Sequence, residues 1–152
     1  MKRGALFGVL AVIVGLVLVV AGCGGGGGEK TDTDQGRAAN AQAQAACDGS
    51  PLTAAPKLPP SFPMVENTTF TKQSIEGPTN VVEGYWKGSV KEAHDEYKKE
   101  LQAAGYSIVF DELEDHDSEV SWKGEGRTGQ VALREECGDR DKIYVHVTDR
   151  PE

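Results

Sequence analysis

The sequence predicts an α+β domain, a mainly antiparallel sheet of about six strands with one amphipathic helix packed on one face, in the order ββ-α-ββββ. Three observations predict it. One stretch has helical periodicity with stop signals at both ends, four runs after it alternate apolar with polar residues, and a turn-separated pair of similar runs precedes it.

The first pair spans residues 68–75 and 79–86, with Gly77-Pro78 between them as a turn. The helix follows. Ser89 with Glu92 forms a capping-box signature, and Gly105 supplies a residue that adopts a left-handed conformation after the last turn. Between them Val90, Ala93, Tyr97, Leu101 and Ala104 recur at helical spacing and leave a single apolar stripe to bury.

In the four later runs Tyr106, Ile108 and Phe110, then Val120 and Trp122, then Val131 and Leu133, then Ile143, Val145 and Val147 occupy the apolar positions. Strict alternation means half-buried antiparallel strands, with these side chains facing the helix. Ser121, Arg134, Tyr144 and His146 then share the opposite, open face. Six strands at about 4.8 Å span nearly 30 Å, whereas one helix is about 10–12 Å across. A second cover is needed, and the Pro-rich lead-in at residues 51–65 offers Leu58, Phe62, Met64 and Val65 for it.

The chain ahead of this domain reads as an address. Lys2 and Arg3 precede residues 4–22, which contain no charge, so a basic region leads into an apolar one as in export signals. The run ends in Val20-Ala21-Gly22-Cys23, which resembles the lipobox of bacterial lipoproteins. That resemblance implies a signal peptide over residues 1–22, two acyl chains on Cys23 and anchoring to the membrane through that lipid, since stable anchoring takes two lipid signals. The alternative is an uncleaved signal anchor. In either case the basic residues stay inside and everything after Cys23 lies on the extracytoplasmic side of the cell membrane. Residues 24–46 have no aromatic and no branched aliphatic side chain and are expected to be a flexible tether following the lipidated cysteine. Residues 47–152 then form a single domain. The run Leu58-Pro59-Pro60-Ser61-Phe62-Pro63, followed by a hairpin and a helix ending Ala104-Gly105-Tyr106, is similar to a set of small bacterial envelope lipoproteins. That similarity implies no activity.

The whole chain has 16 basic and 24 acidic residues, and the domain keeps 12 and 21 of them, a net charge of −9. This excludes recognition of nucleic acid, which needs clustered Lys and Arg, and adhesion to anionic headgroups. Of three cysteines, Cys23 is consumed by lipid on this reading, which leaves Cys47 and Cys137 to pair in an oxidising compartment or stay as two free thiols.

No motif points to catalysis, a cofactor or a metal. Residues 124–129 match G-x-G-x-x-G, yet they lie between antiparallel strands instead of at the start of a helix. Residues 24–31 imitate a phosphate-binding loop, but Glu29 separates Gly28 from Lys30 and no strand precedes them. The acidic residues 111–119 lack the Gly and Glu positions of a calcium loop and read as a solvated turn. His94, His116 and His146 have no metal-ligand spacing. A Ser-His-Asp set assembled only in space would leave no sequence signature. The expected function is therefore a non-enzymatic module that binds a protein or other envelope component. The alternative is a small secreted enzyme or ligand-binding domain using the open sheet face. Arg134 and Tyr144, with His146 beside them, are the candidate partner residues, because Tyr and Arg bury area while making hydrogen bonds.

Overall fold

The computed structural model describes residues 34–152, with side chains from Arg37 onward. The helix α1 spans Asp34–Cys47 and the hairpin strands β1 and β2 span Thr68–Glu76 and Thr79–Lys87. Next come α2, Val90–Ala103, and the strands β3, Ser107–Leu113, β4, Asp117–Gly124, β5, Arg127–Arg134, and β6, Lys142–Pro151. All six strands form one antiparallel sheet in the order β1-β2-β6-β5-β4-β3. The mixed, mainly antiparallel fold is as expected. The element order has one helix more than expected, because α1 occupies part of the segment read as tether.

α2 forms where its signals lie. Ser89 and Glu92 close the capping box reciprocally. At the other end the Tyr106 amide donates to the Leu101 carbonyl and the Gly105 amide to that of Gln102, with Gly105 at φ +90°. This Schellman arrangement satisfies two terminal carbonyls and brings Tyr106 onto Leu101 in the core. Val90, Ala93, Tyr97 and Leu101 are buried against the inner face of the sheet, where Val120, Trp122, Val131, Leu133, Val145 and Val147 have no exposure. Residues 51–65 supply the second cover. Phe62 packs on Trp122 with ring centroids 5.7 Å apart, and Val65 is buried beside it, whereas Met64 points out and is 64% exposed. Gly129 is required under the indole of Trp122, since a Cβ there would lie 2.5 Å from that ring.

Regular alternation fails at one apolar position. A bulge between Ile108 and Phe110 leaves Ile108 opposite Trp122 but sets Phe110 opposite Ser121. Phe110 therefore lies on the outer face, 48% exposed, and not toward the helix as expected. The same slip turns Asp111 inward, where it meets Lys98 and His94 of α2. Because β3 is an edge strand, the bulge disturbs only one ladder.

The outer face is also not uniformly open. α1 lies across β1, β2 and β6 on that side, with Ala43, Ala46 and Cys47 buried against Tyr144 and Tyr85. Alanine favours helix most among the residues and its small side chain lets the backbone approach closely, which is why a segment without large apolar groups is ordered here. Cys47 is joined to Cys137, with Cα atoms 5.7 Å apart and a sequence separation of 90. The Thr71 hydroxyl donates to the Ala46 carbonyl at 2.7 Å, and the Gln44 amide to the Glu136 carbonyl at 2.7 Å.

Candidate functional site

Three polar constellations arise from this architecture, and burial separates them. The first is the expected partner face, which α1 divides. Tyr144 is only 5% exposed, and its hydroxyl donates to Glu83 Oε1 at 2.6 Å. Gln42 of α1 donates to the same oxygen at 2.7 Å, and Lys72 Nζ lies 3.3 Å from the other. Burial pushes the Glu83 carboxyl up, but the hydrogen bonds from Tyr144 and Gln42 and the charge of Lys72 outweigh it and hold the group below its ordinary value. The Tyr144 phenol is raised, first by burial and then by its bond to Glu83. His146 stacks on Tyr144 at 6.1 Å, and burial holds its imidazole below the usual value, so the ring is neutral at neutral pH. Tyr144 is thus a covered anchor of α1 and is unavailable to a partner. Arg134 stays accessible at the margin of the face, 3.8 Å from Glu119.

The second constellation is a Ser-His-Asp array. Ser118 Oγ lies 2.6 Å from His94 Nδ1, and His94 Nε2 lies 3.1 Å from Asp111 Oδ1. These are the three groups of a hydrolytic triad, in which a carboxylate orients an imidazole that deprotonates a hydroxyl. Here Ser118 has no exposure and His94 has 5%, so no acyl group reaches the hydroxyl. Asp111 is also shared with Lys98. The array fastens α2 to β3 and β4. A comparable tie holds Asp149, 1% exposed, to Arg127 through two hydrogen bonds and to Asn80 at 3.0 Å.

The third constellation is open. Beyond α1 the outer face presents two rows across the strands. One row is Phe110, Ser121, Gln130 and Thr148, and the next is Lys123, Thr128 and Arg150. Apart from Lys123, they border a shallow groove of about 520 Å³ whose walls include Thr79 and the half-exposed Val109 and Phe110. Gln130 donates to Glu119 at 2.9 Å, and Thr128 donates to the Trp122 carbonyl at 3.0 Å. Lys123 and Arg150 make no ion pair among the described residues. Hydroxyl, amide and cationic groups beside an aromatic edge suit a polar ligand laid on the surface, held by hydrogen bonds and charge.

Sequence reasoning reached Ser121 of this groove and placed Arg134 near it, but missed Phe110 because of the bulge. Gln130 and Thr148 were legible by parity, since each lies one position from an inward-facing Val131 or Val147. Cys23 lies outside the described residues. Among those described, no group of three or more His, Cys, Asp or Glu side chains is placed to hold a metal ion, and no helix is long and apolar enough to cross a membrane. No family model matches the chain, and no curated protein or solved structure is significantly similar to it.

Proposed function

We propose that this chain is a membrane-anchored extracytoplasmic lipoprotein whose folded unit is a non-enzymatic binding module. One observation carries the reading. Two of the three cysteines, Cys47 and Cys137, are joined to each other, which suits an oxidising compartment. Cys23 is left alone at the end of an uncharged run that closes in Val20-Ala21-Gly22. The buried polar constellations are internally paired and serve structure, so binding falls to the open half of the outer face. That groove also favours the narrower reading of a ligand-binding domain over a protein-docking one.

The test is metabolic labelling with a fatty acid analogue. The chain incorporates label and migrates as a processed form, whereas Cys23→Ala does neither. Full labelling of Cys23→Ala would overturn the anchor, and an unlabelled parent chain would do the same.

A further inference from the structure

We infer that the free edge of β3 takes a cationic extended peptide as an added strand, with an apolar side chain of the peptide beside Phe110 and a Lys or Arg two positions away beside Glu112. This rests on the binding module proposed above and names a ligand for it. The ligand is a short segment laid along the margin of the open face, and not a folded partner docked on it.

The sheet has two edges, β1 and β3, and the chain itself covers the first. Along β1 the Leu52 amide donates to the Phe70 carbonyl at 2.9 Å, the Lys57 amide donates to the Gln73 side chain at 3.1 Å, and the end of α1 accepts from Thr71. Among the described residues no backbone hydrogen bond reaches β3 from anywhere but β4. The bulge of β3 lies at Val109, and from Phe110 to Leu113 its pairing with β4 is regular. Every second residue of such a run turns its amide and carbonyl away from the neighbouring strand, which is the template that an added strand uses. Three of the five large apolar side chains left exposed among the described residues, Val109, Phe110 and Leu113, lie on this one strand.

The side chains select the kind of strand. Glu112 stands directly opposite Glu119 on the outer face, and like charges so placed are unfavourable. Glu119 is engaged by Gln130 at 2.9 Å and lies 3.8 Å from Arg134. Glu112 is exposed and makes no ion pair among the described residues, and the same holds for Glu114 and Asp115 in the turn beyond it. A cation on the next strand relieves that repulsion, while Phe110, two residues earlier on the same face, packs an apolar neighbour. Asp111 points the other way and is already held by His94 and Lys98. Charge also excludes a second copy of this chain. Its β3 would bring another Asp111 and Glu112 to an edge of a domain that carries −9, and its β1 is covered. A basic segment meets no such barrier.

The full chain in non-ionic detergent micelles is titrated into the capped, fluorophore-labelled peptide Thr-Val-Lys-Thr-Val-Lys-Thr, and binding is read by anisotropy. The peptide binds, and the same peptide with Glu in place of Lys does not. Methylating alternate backbone nitrogens of the peptide abolishes binding in one parity and leaves it intact in the other, because only one parity of amides faces β3. Hydrogen exchange shows amides of β3 gaining protection on binding, with those of β1 unchanged. Glu112→Gln weakens binding about threefold, as expected for one exposed ion pair, and Phe110→Ser weakens it by up to about fivefold, as expected for a cross-strand apolar pair. Asp48→Asn, the same charge change at an exposed residue just after α1, has no effect. All three positions are exposed, and unchanged melting curves establish that the variants are folded. Equal binding of the Glu peptide, equal effects of the two methylation parities, protection gained in β1 and not in β3, a Glu112→Gln effect no larger than that of Asp48→Asn, or no binding at millimolar peptide would each overturn the assignment. Failure of the peptide to bind with fatty acid labelling intact removes this ligand and leaves the anchored module. Loss of labelling with peptide binding intact does the reverse.

Discussion

The outer face of the sheet has two halves with equivalent strand geometry and opposite environments. Over β1, β2 and β6 it is roofed by α1, and the outward carboxylate of Glu83 is 1% exposed with three polar partners. Over β3, β4 and β5 it is wet, and the outward carboxylate of Glu119 is about a third exposed beside Gln130 and Arg134. Nothing within the strands distinguishes the two, since both glutamates stand at polar positions of alternating runs. The difference comes from a segment outside the sheet. A buried carboxylate is tolerable only when its oxygens are hydrogen-bonded, and α1 brings Gln42 with it to complete the set. Roofing one half organises a saturated, structural network; leaving the other half bare keeps Arg150, Lys123 and the Thr and Gln side chains at the surface.

The sharpest way to break this contrast is to release the roof. Among its described side chains α1 buries only Ala43, Ala46 and Cys47, and an isolated helix of its length is marginal in water. Replacing both Cys47 and Cys137 with Ser should lower stability by up to about 4.6 kcal/mol, the chain-entropy expectation for a loop this long. Hydrogen exchange should then show the α1 amides losing protection ahead of those of β5 and β6. Undiminished protection of α1 in the folded variant would mean that the helix is held by its side chains alone.

A smaller effect tests the network beneath the roof. Glu83→Ala leaves the Tyr144 hydroxyl and the Gln42 amide without their acceptor, which should cost about 2–3 kcal/mol. Glu83→Gln isolates the charge. The folded-state pKa of Glu83 lies below its ordinary 4.5, so its ionisation contributes stability that is fully present above about that pH and is lost as pH falls through the lowered folded value. The stability gap between the parent chain and Glu83→Gln should therefore be widest near neutrality and narrow below pH 4.5, as read from urea unfolding at a series of pH values. A gap that widens on acidification would contradict the network.

How far the sequence anticipated this molecule depended on where each signal resides. α2 was legible because its cap residues, its apolar stripe and Gly105 are all local. The six strands were legible because alternation is local too. α1 was not, since its buried side chains are alanines and the search for cores looks for branched and aromatic groups. The Ser118–His94–Asp111 array is a contact between three elements, and residues 111–119 read as a solvated turn, although Ser118 lies two positions before Val120 and so shares its inward parity once β4 extends to Asp117. Asp149, two positions after Val147, carried the same hint. A polar residue at an inward position requires a buried partner, and both have one. The candidate site shifted for a related reason. Tyr144 and Arg134 share a face by alternation, but whether that face is covered is decided by a segment far away in the chain.

The smallest expected effect separates the bulged edge strand from a regular one. Strict alternation would place Ile108 and Phe110 together in the core, and truncating a core phenylalanine typically costs about 3–5 kcal/mol. The structure instead sets Phe110 opposite Ser121 and nearly half exposed, while Ile108 packs against the core. Phe110→Ser should then change stability by no more than about 0.5 kcal/mol, the usual range for surface positions. Ile108→Ala removes partly buried apolar surface and should cost more, roughly 1–2 kcal/mol. Chemical denaturation of the two variants side by side compares residues of the same strand that alternation makes equivalent and the bulge does not. A loss for Phe110→Ser as large as that for Ile108→Ala would restore the regular strand, return Phe110 to the core, and take the aromatic edge out of the open groove.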